Sequence, residues 1–168
     1  MSAQAPMQLD NDDLKQVFVH NLNRIYFGKC YLDSHLEHLR TRASFPSLQM
    51  AIDEFWDDIK KQIKRMQAIY DLLGEVPSDK NCNPIKSIVK DNFCLDDDQG
   101  MKVFTDTDLR AYLQLLEHIN ITACRMLKTI AAILQYNEAK QLLTECFDES
   151  IDNDHLFQLI SKEYFTAE

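Results

Sequence analysis

Four stretches of the chain carry apolar residues at steps of three and four, the spacing that keeps side chains on one face of an α-helix. The first runs Leu14, Phe18, Leu22, Ile25, Lys29, Leu32, Leu36, Leu39, and the second runs Leu48, Ile52, Phe55, Ile59, Gln62, Met66, Ile69, Leu73. The third is Leu109, Leu113, Leu116, Asn120, Ala123, Leu127, Ile130, Leu134, and the fourth is Ala139, Leu142, Cys146, Glu149, Asn153, Leu156, Ile160. Each series is apolar except near its middle, where Lys29, Gln62, Asn120 and Glu149 interrupt it. In four helices of similar length these interruptions fall at a similar depth, which is where helix bundles build metal and ligand sites.

The breaks between the stripes set the helix ends. The pattern predicts a first helix from Asp12 to about Arg42, with Asn11 as its N-cap. Ser44, Phe45 and Pro46 end it, and Pro46 suits the first turn of the second helix, where a missing N–H costs nothing. Gly74 stops that helix after Leu73, and Pro77 prevents its continuation. Between Glu75 and Phe104 the chain carries Pro77, Pro84, the acidic run Asp96 to Asp98 and Gly100. A short helix over Pro84 to Asn92, with Ile85, Ile88 and Val89 inward, fits this stretch. A third long helix is predicted from just after Thr105 or Asp106 to about Gln135, and a fourth from a cap at Asn137 to about Glu163.

Connection lengths give the topology. Short turns make helices one and two antiparallel neighbours, and likewise three and four. The long link between the pairs permits a crossover of the ferritin-like type. Each hairpin needs the other to bury its apolar face, so residues 12–168 are expected to form a single all-α, ferritin-like four-helix-bundle domain, with the short helix in the crossover. Residues 1–11 are polar and are expected to form a flexible tail with no signal-peptide core.

Composition narrows the function. Three glycines and four prolines in 168 residues are too few for a β-sandwich or barrel. A net charge of −9 disfavours nucleic acid and anionic membrane surfaces as partners. No apolar run is long enough to span a bilayer. The five cysteines, Cys30, Cys82, Cys94, Cys124 and Cys146, are odd in number and lack C-x-x-C spacing, which suits a reducing cytoplasm. Cys124 and Cys146 read as small buried hydrophobes. Nucleophile motifs and Gly-rich phosphate loops are absent.

Within the polar layer, Asp58 lies one turn from Gln62, Glu117 beside Asn120, and Glu149 beside Asp152 or Asn153. Asp58, Gln62, Glu117, Glu149 and Asp152 are the oxygen donors available to a metal. His118 points about 100° away from Glu117, so a hydrogen-bonded or partly exposed role is expected for it. His20, His35 and His38 are expected at the surface. The Asp96–Asp98 run lacks calcium-loop spacing and reads as a solvated turn. Phe55 and Trp56 are consecutive and cannot share one core face, so Trp56 is expected against a dimer partner or the crossover.

The stretches Asp71-Leu72-Leu73-Gly74-Glu75-Val76-Pro77, Leu116-Glu117-His118 and Phe147-Asp148-Glu149, in this order and spacing, resemble the bacterial ferritin-like family typified by the YciE and YciF stress proteins. The resemblance covers roughly Leu14 to Ile160. It implies a ferritin-like bundle, often dimeric, associated with stress responses and a di-metal centre. The family's Tyr-x-x-Glu on the first helix reads Tyr26-Phe27-Gly28-Lys29 here. Its His and Glu on the second match Phe55 and Asp58, and its Gln or His matches Gln62. Glu-His-x-Glu becomes Glu117-His118-Ile119-Asn120, and Asp-Glu-Glu becomes Asp148-Glu149-Ser150. An ammonium has no lone pair for a metal. With Lys29, Phe55 and Asn120 at ligand positions, the expectation is a degenerate metal centre, no cofactor, no oxidase activity, and a structural or interaction role, as a homodimer with an unidentified protein partner. The alternative is an iron or manganese protein with a residual carboxylate site.

Overall fold

The computed structural model describes residues 9–90, 95 and 100–166. Residues 1–8 of the expected tail, Asn92 at the expected end of the short helix, Cys94 and the Asp96–Asp98 run lie outside the described residues. The described elements are α1 (Asn11–Arg42), α2 (Pro46–Leu73), α3 (Pro84–Lys90), α4 (Lys102–Ile133) and α5 (Asn137–Thr166). The fold is the all-α bundle that the four stripes predict, and α3 is the short helix of the crossover.

Local chemistry explains the helix ends. Asp10, not Asn11, caps α1, accepting from the Asp13 N–H at 2.8 Å. Asp12 and Asp13 then sit in the first turn and Arg40 and Arg42 in the last, each matching the helix dipole. Pro46 opens α2 as expected. Gly74 closes it at φ 64°, a left-handed conformation in which the Glu75 N–H reaches the Tyr70 carbonyl at 3.0 Å.

α1 packs against α2 and α4, and α5 packs against the same two. Every neighbouring pair of long helices runs antiparallel. The Ser44 N–H beyond the end of α1 donates to Asp106 near the start of α4 at 2.7 Å, and Phe45 before α2 stacks edge-on against Tyr164 near the end of α5. At the opposite end, Phe18 near the start of α1 meets Tyr136 beyond α4. The link from α2 to α4 therefore climbs the length of the bundle.

That crossover is pinned to α1. Asn23 Oδ1 accepts from Tyr70 Oη at 2.7 Å and from the Ser78 N–H at 3.1 Å. Asn83 donates to the Arg24 carbonyl at 2.6 Å while its Oδ1 accepts from the Ile85 N–H, so one side chain both caps α3 and ties it to α1. Ile85 and Val89 are buried and Ile88 packs half-buried on the core, all inward as predicted. The approach is close enough to require glycine at position 28. A Cβ there would lie 2.8 Å from Ile85 Cβ and 2.9 Å from Asn83 Oδ1. Gly28→Ala is expected to destabilise the fold by about 1–3 kcal/mol through overpacking. A urea midpoint equal to wild type would show that α3 retreats from α1 freely.

Two further expectations change. α4 begins at Lys102, earlier than Thr105 or Asp106, because the Asp106 side chain is not a helix cap and instead reaches Ser44 across the bundle. The buried residues of α5 are Ala139, Leu143, Cys146, Ser150, Asn153, Asp154, Phe157 and Ile160. Leu142, Glu149 and Leu156 are only half-buried. The adjacent pairs Leu142-Leu143 and Leu156-Phe157 allow either phase in sequence. Packing selects the one that sets Phe157 edge-on against Phe55, 5.6 Å between ring centres.

Candidate functional site

The polar layer exists, and Lys29 stands at its centre. Its side chain is 0% exposed, and Nζ donates to Gln62 Oε1 at 2.6 Å. Nonpolar residues above and below, Ile25 and Leu32 on the same helix, are buried too, so the ammonium has no path along its own stripe to water. Gln62 is also fully buried, with its Nε2 3.5 Å from the Cys146 carbonyl. From α4 come Glu117 and Asn120, both 0% exposed and joined by a 3.1 Å hydrogen bond from Asn120 Nδ2 to Glu117 Oε1. From α5 comes Ser150, buried where Glu149 was expected.

Electrostatics follow from this burial. Removal from water pushes the Glu117 carboxyl above the usual glutamate range. The Lys29 charge and the neighbouring Ser150 and Asn120 side chains pull it down, and Asp58 pushes it up again. Ser150 is close enough to act on Glu117, yet its Oγ, Glu117 Oε2 and Asn120 Oδ1 are buried without a well-aligned hydrogen-bond partner among the described residues. Cys124 and Cys146 are buried as expected, their thiols pushed up by burial to about 11 and about 12, with Lys29 opposing the shift in both.

The other expected oxygen donors have different partners. Asp58 is half-buried and pairs with Lys61 at 2.8 Å. Glu149 is half-buried and accepts from Arg65 Nη1 at 2.8 Å, while the same guanidinium holds Glu145. Asp152 is exposed. Of the five candidates, only Gln62 and Glu117 enter the core, and Phe55 at the expected histidine position is fully buried, edge-on against Phe157. Among the described residues no group of three or more His, Cys, Asp or Glu side chains is placed to hold a metal ion. A di-metal centre needs carboxylates from several helices. An ammonium bonded to the one amide oxygen, beside a single buried carboxylate, does not fit it.

Nearby side chains complete the picture. His118 is exposed and paired, in line with the hydrogen-bonded or partly exposed role expected for it, and Nε2 lies 3.0 Å from Asp154 Oδ1. Asp154 was not among the sequence candidates. Its one signal is the four-residue step to Gln158, which donates to it. The Trp56 indole N–H donates to Asp33 of α1 at 2.6 Å and Lys60 lies over its ring. His20 and His38 are exposed as expected, while His35 is half-buried against Tyr31. No described helix is long and apolar enough to cross a membrane.

Two solved structures share this architecture. The E. coli stress protein YciF superposes with a TM-score of 0.85 at 21% identity, covering 92% of this chain and 98% of that one. YcfI from Rhodopseudomonas palustris, described as a candidate structural protein, gives a TM-score of 0.81 at 21% identity, covering 94% of this chain and 98% of its own. At this identity the likeness is one of fold. No curated protein gives a significant sequence match. The model of the domain of unknown function DUF892 matches residues 13–168, nearly the whole chain, and the protein belongs to that family, of YciE/YciF type.

Proposed function

We propose that this protein is a stress-associated ferritin-like scaffold in which the Lys29 ammonium stands where a metal centre would be, and that it acts as a structural or interaction protein, not as an oxidase. The observation that carries this reading is the complete burial of Lys29 with Nζ 2.6 Å from Gln62 Oε1. A buried carboxylate layer needs a positive centre of some kind. One ammonium opposite one buried carboxylate, Glu117, supplies it without a metal. The surrounding acids are compensated separately, Asp58 by Lys61 and Glu149 by Arg65. The names of the two solved relatives, one a stress protein and one a candidate structural protein, agree with such a role.

Elemental analysis of the purified protein, before and after anaerobic loading with iron(II) or manganese(II), tests the reading. The expected result is no stoichiometric metal in a well-folded protein, and gain of metal binding in Lys29→Glu. Near-stoichiometric iron or manganese that disappears in Glu117→Ala would overturn it. That result would assign the residual site to Asp58, Gln62, Glu117, Glu149 and Asp152.

A further inference from the structure

A concave groove of about 450 Å³ runs along the seam between α1 and α4, beside the start of α3. Ile25, Ile119, Ala123 and Met126 give it an apolar floor, and Arg24 and His118 stand on its two sides. The chain as a whole carries a net charge of −9, yet both ionisable residues lining this groove are basic. Both are also held in place. Arg24 Nε donates to the Cys82 carbonyl at 3.0 Å, which restrains the guanidinium plane. His118 Nε2 is 3.0 Å from Asp154 Oδ1. Asp154 is buried, and each of its oxygens has an amide donor: Gln114 at 2.8 Å on Oδ1 and Gln158 at 2.9 Å on Oδ2.

A surface histidine needs no such support for the fold. A buried acid, itself fixed by two glutamines, is the arrangement that orients an imidazole whose other nitrogen meets a ligand. A mostly apolar concavity of several hundred Å³ with a few fixed polar groups is the usual form of a small-molecule site.

We propose that this groove binds a small amphiphilic anion, an apolar body bearing one carboxylate. The body lies on Ile25, Ile119, Ala123 and Met126. The carboxylate accepts from the terminal N–H groups of Arg24, whose fork matches its geometry, and from a ring N–H of His118. The site lies outside the Lys29 layer, so it stands or falls independently of the metal question.

The test is titration of the full chain with sodium decanoate, followed by calorimetry and by amide shifts in NMR, with decanol as the uncharged control. Decanoate is expected to saturate, with shifts centred on Arg24, Ile119 and Ala123. Arg24→Gln is expected to weaken it about tenfold, the loss of one charge-assisted contact. Decanol should bind wild type about as weakly as decanoate binds the variant. Met126→Trp, at a partly exposed helix position, should fill the groove and abolish binding. Thermal melts establish that each variant is folded. If Arg24→Gln is not, His118→Gln takes its place with the same expected direction. Absence of groove shifts, equal affinity for decanoate and decanol, unchanged affinity in the charge variant, or unchanged binding by Met126→Trp would each overturn the proposal.

Discussion

Lys29→Met is expected to lower folding stability by about 3–5 kcal/mol at pH 8, the usual cost of leaving a buried charge uncompensated. For a chain of this size that is a fall in melting temperature on the order of 10 °C. Methionine nearly fills the space of the lysine stem, so loss of packing is a small part of the effect. What is lost is the donor to Gln62 Oε1, bonded at 2.6 Å, and the positive charge that holds the Glu117 carboxyl down. Restoring the balance from the other side should restore stability. In a Lys29→Met, Glu117→Leu double variant most of the loss should disappear, since an apolar pair of similar volume often replaces a buried ionic one without cost. If the double variant is as unstable as the sum of the single ones, Lys29 and Glu117 are not coupled.

The pH dependence has a definite sign. Burial raises the folded-state pKa of Glu117 above its unfolded value. A carboxyl raised in this way contributes stability that is complete below the unfolded pKa and is lost as pH rises through the folded one. Lys29 opposes the shift, so its removal moves the folded pKa higher still and extends the loss. The Lys29→Met deficit should therefore be larger at pH 8 than at pH 5, on the side where Glu117 takes up its proton. Urea unfolding at the two pH values reads this directly. An equal deficit at both would place the effect in packing and in the Gln62 hydrogen bond.

The lysine was legible in the sequence because both flanking turns of its stripe, Ile25 and Leu32, are apolar and the helix has no break near it. Gln62 and Asn120 were legible for the same reason, and all three are fully buried. Acidic residues were harder to place. Glu149 and Ser150 are adjacent, so a one-residue change of phase exchanges a carboxylate for a hydroxyl in the core, and only the packing of Phe157 on Phe55 decides between them. The partners that draw carboxylates outward are Lys61, three residues along the same helix from Asp58, and Arg65, which reaches across from α2 to Glu149 on α5; on the polar flank of α2 either charge reads in sequence as mere solvation. Sequence periodicity reports which face is apolar. It does not report which acid finds a base on a neighbouring helix, because that depends on rotation and register between chains of residues far apart in number.

Asp106 is the strongest case of such a long-range partner, and Asp106→Ala should destabilise the protein by about 2–4 kcal/mol. In sequence it is one of two candidate starts for a helix. In the fold it is 1% exposed, four residues inside α4, and it serves three donors from outside that helix. Oδ1 accepts from the Ser44 N–H at 2.7 Å, and Oδ2 accepts from the Ser44 hydroxyl and, at 3.2 Å, from Tyr164 Oη of α5. The contacts join the α1–α2 turn, the start of α4 and the end of α5 at one corner of the bundle. Removing the carboxylate leaves a backbone N–H and two hydroxyls to find other partners, and hydrogen bonds to a charged acceptor contribute more than neutral ones. The substitutions form a graded series. Tyr164→Phe removes one long contact and should cost about 1 kcal/mol or less, and Asp106→Asn keeps an acceptor without the charge and should fall between. Thermal melts of the three variants in that order check the assignment. If Tyr164→Phe costs as much as Asp106→Ala, the Tyr164 hydroxyl alone carries the corner and the two Ser44 bonds add nothing, because the phenylalanine ring keeps the packing on Phe45, ring centres 4.7 Å apart.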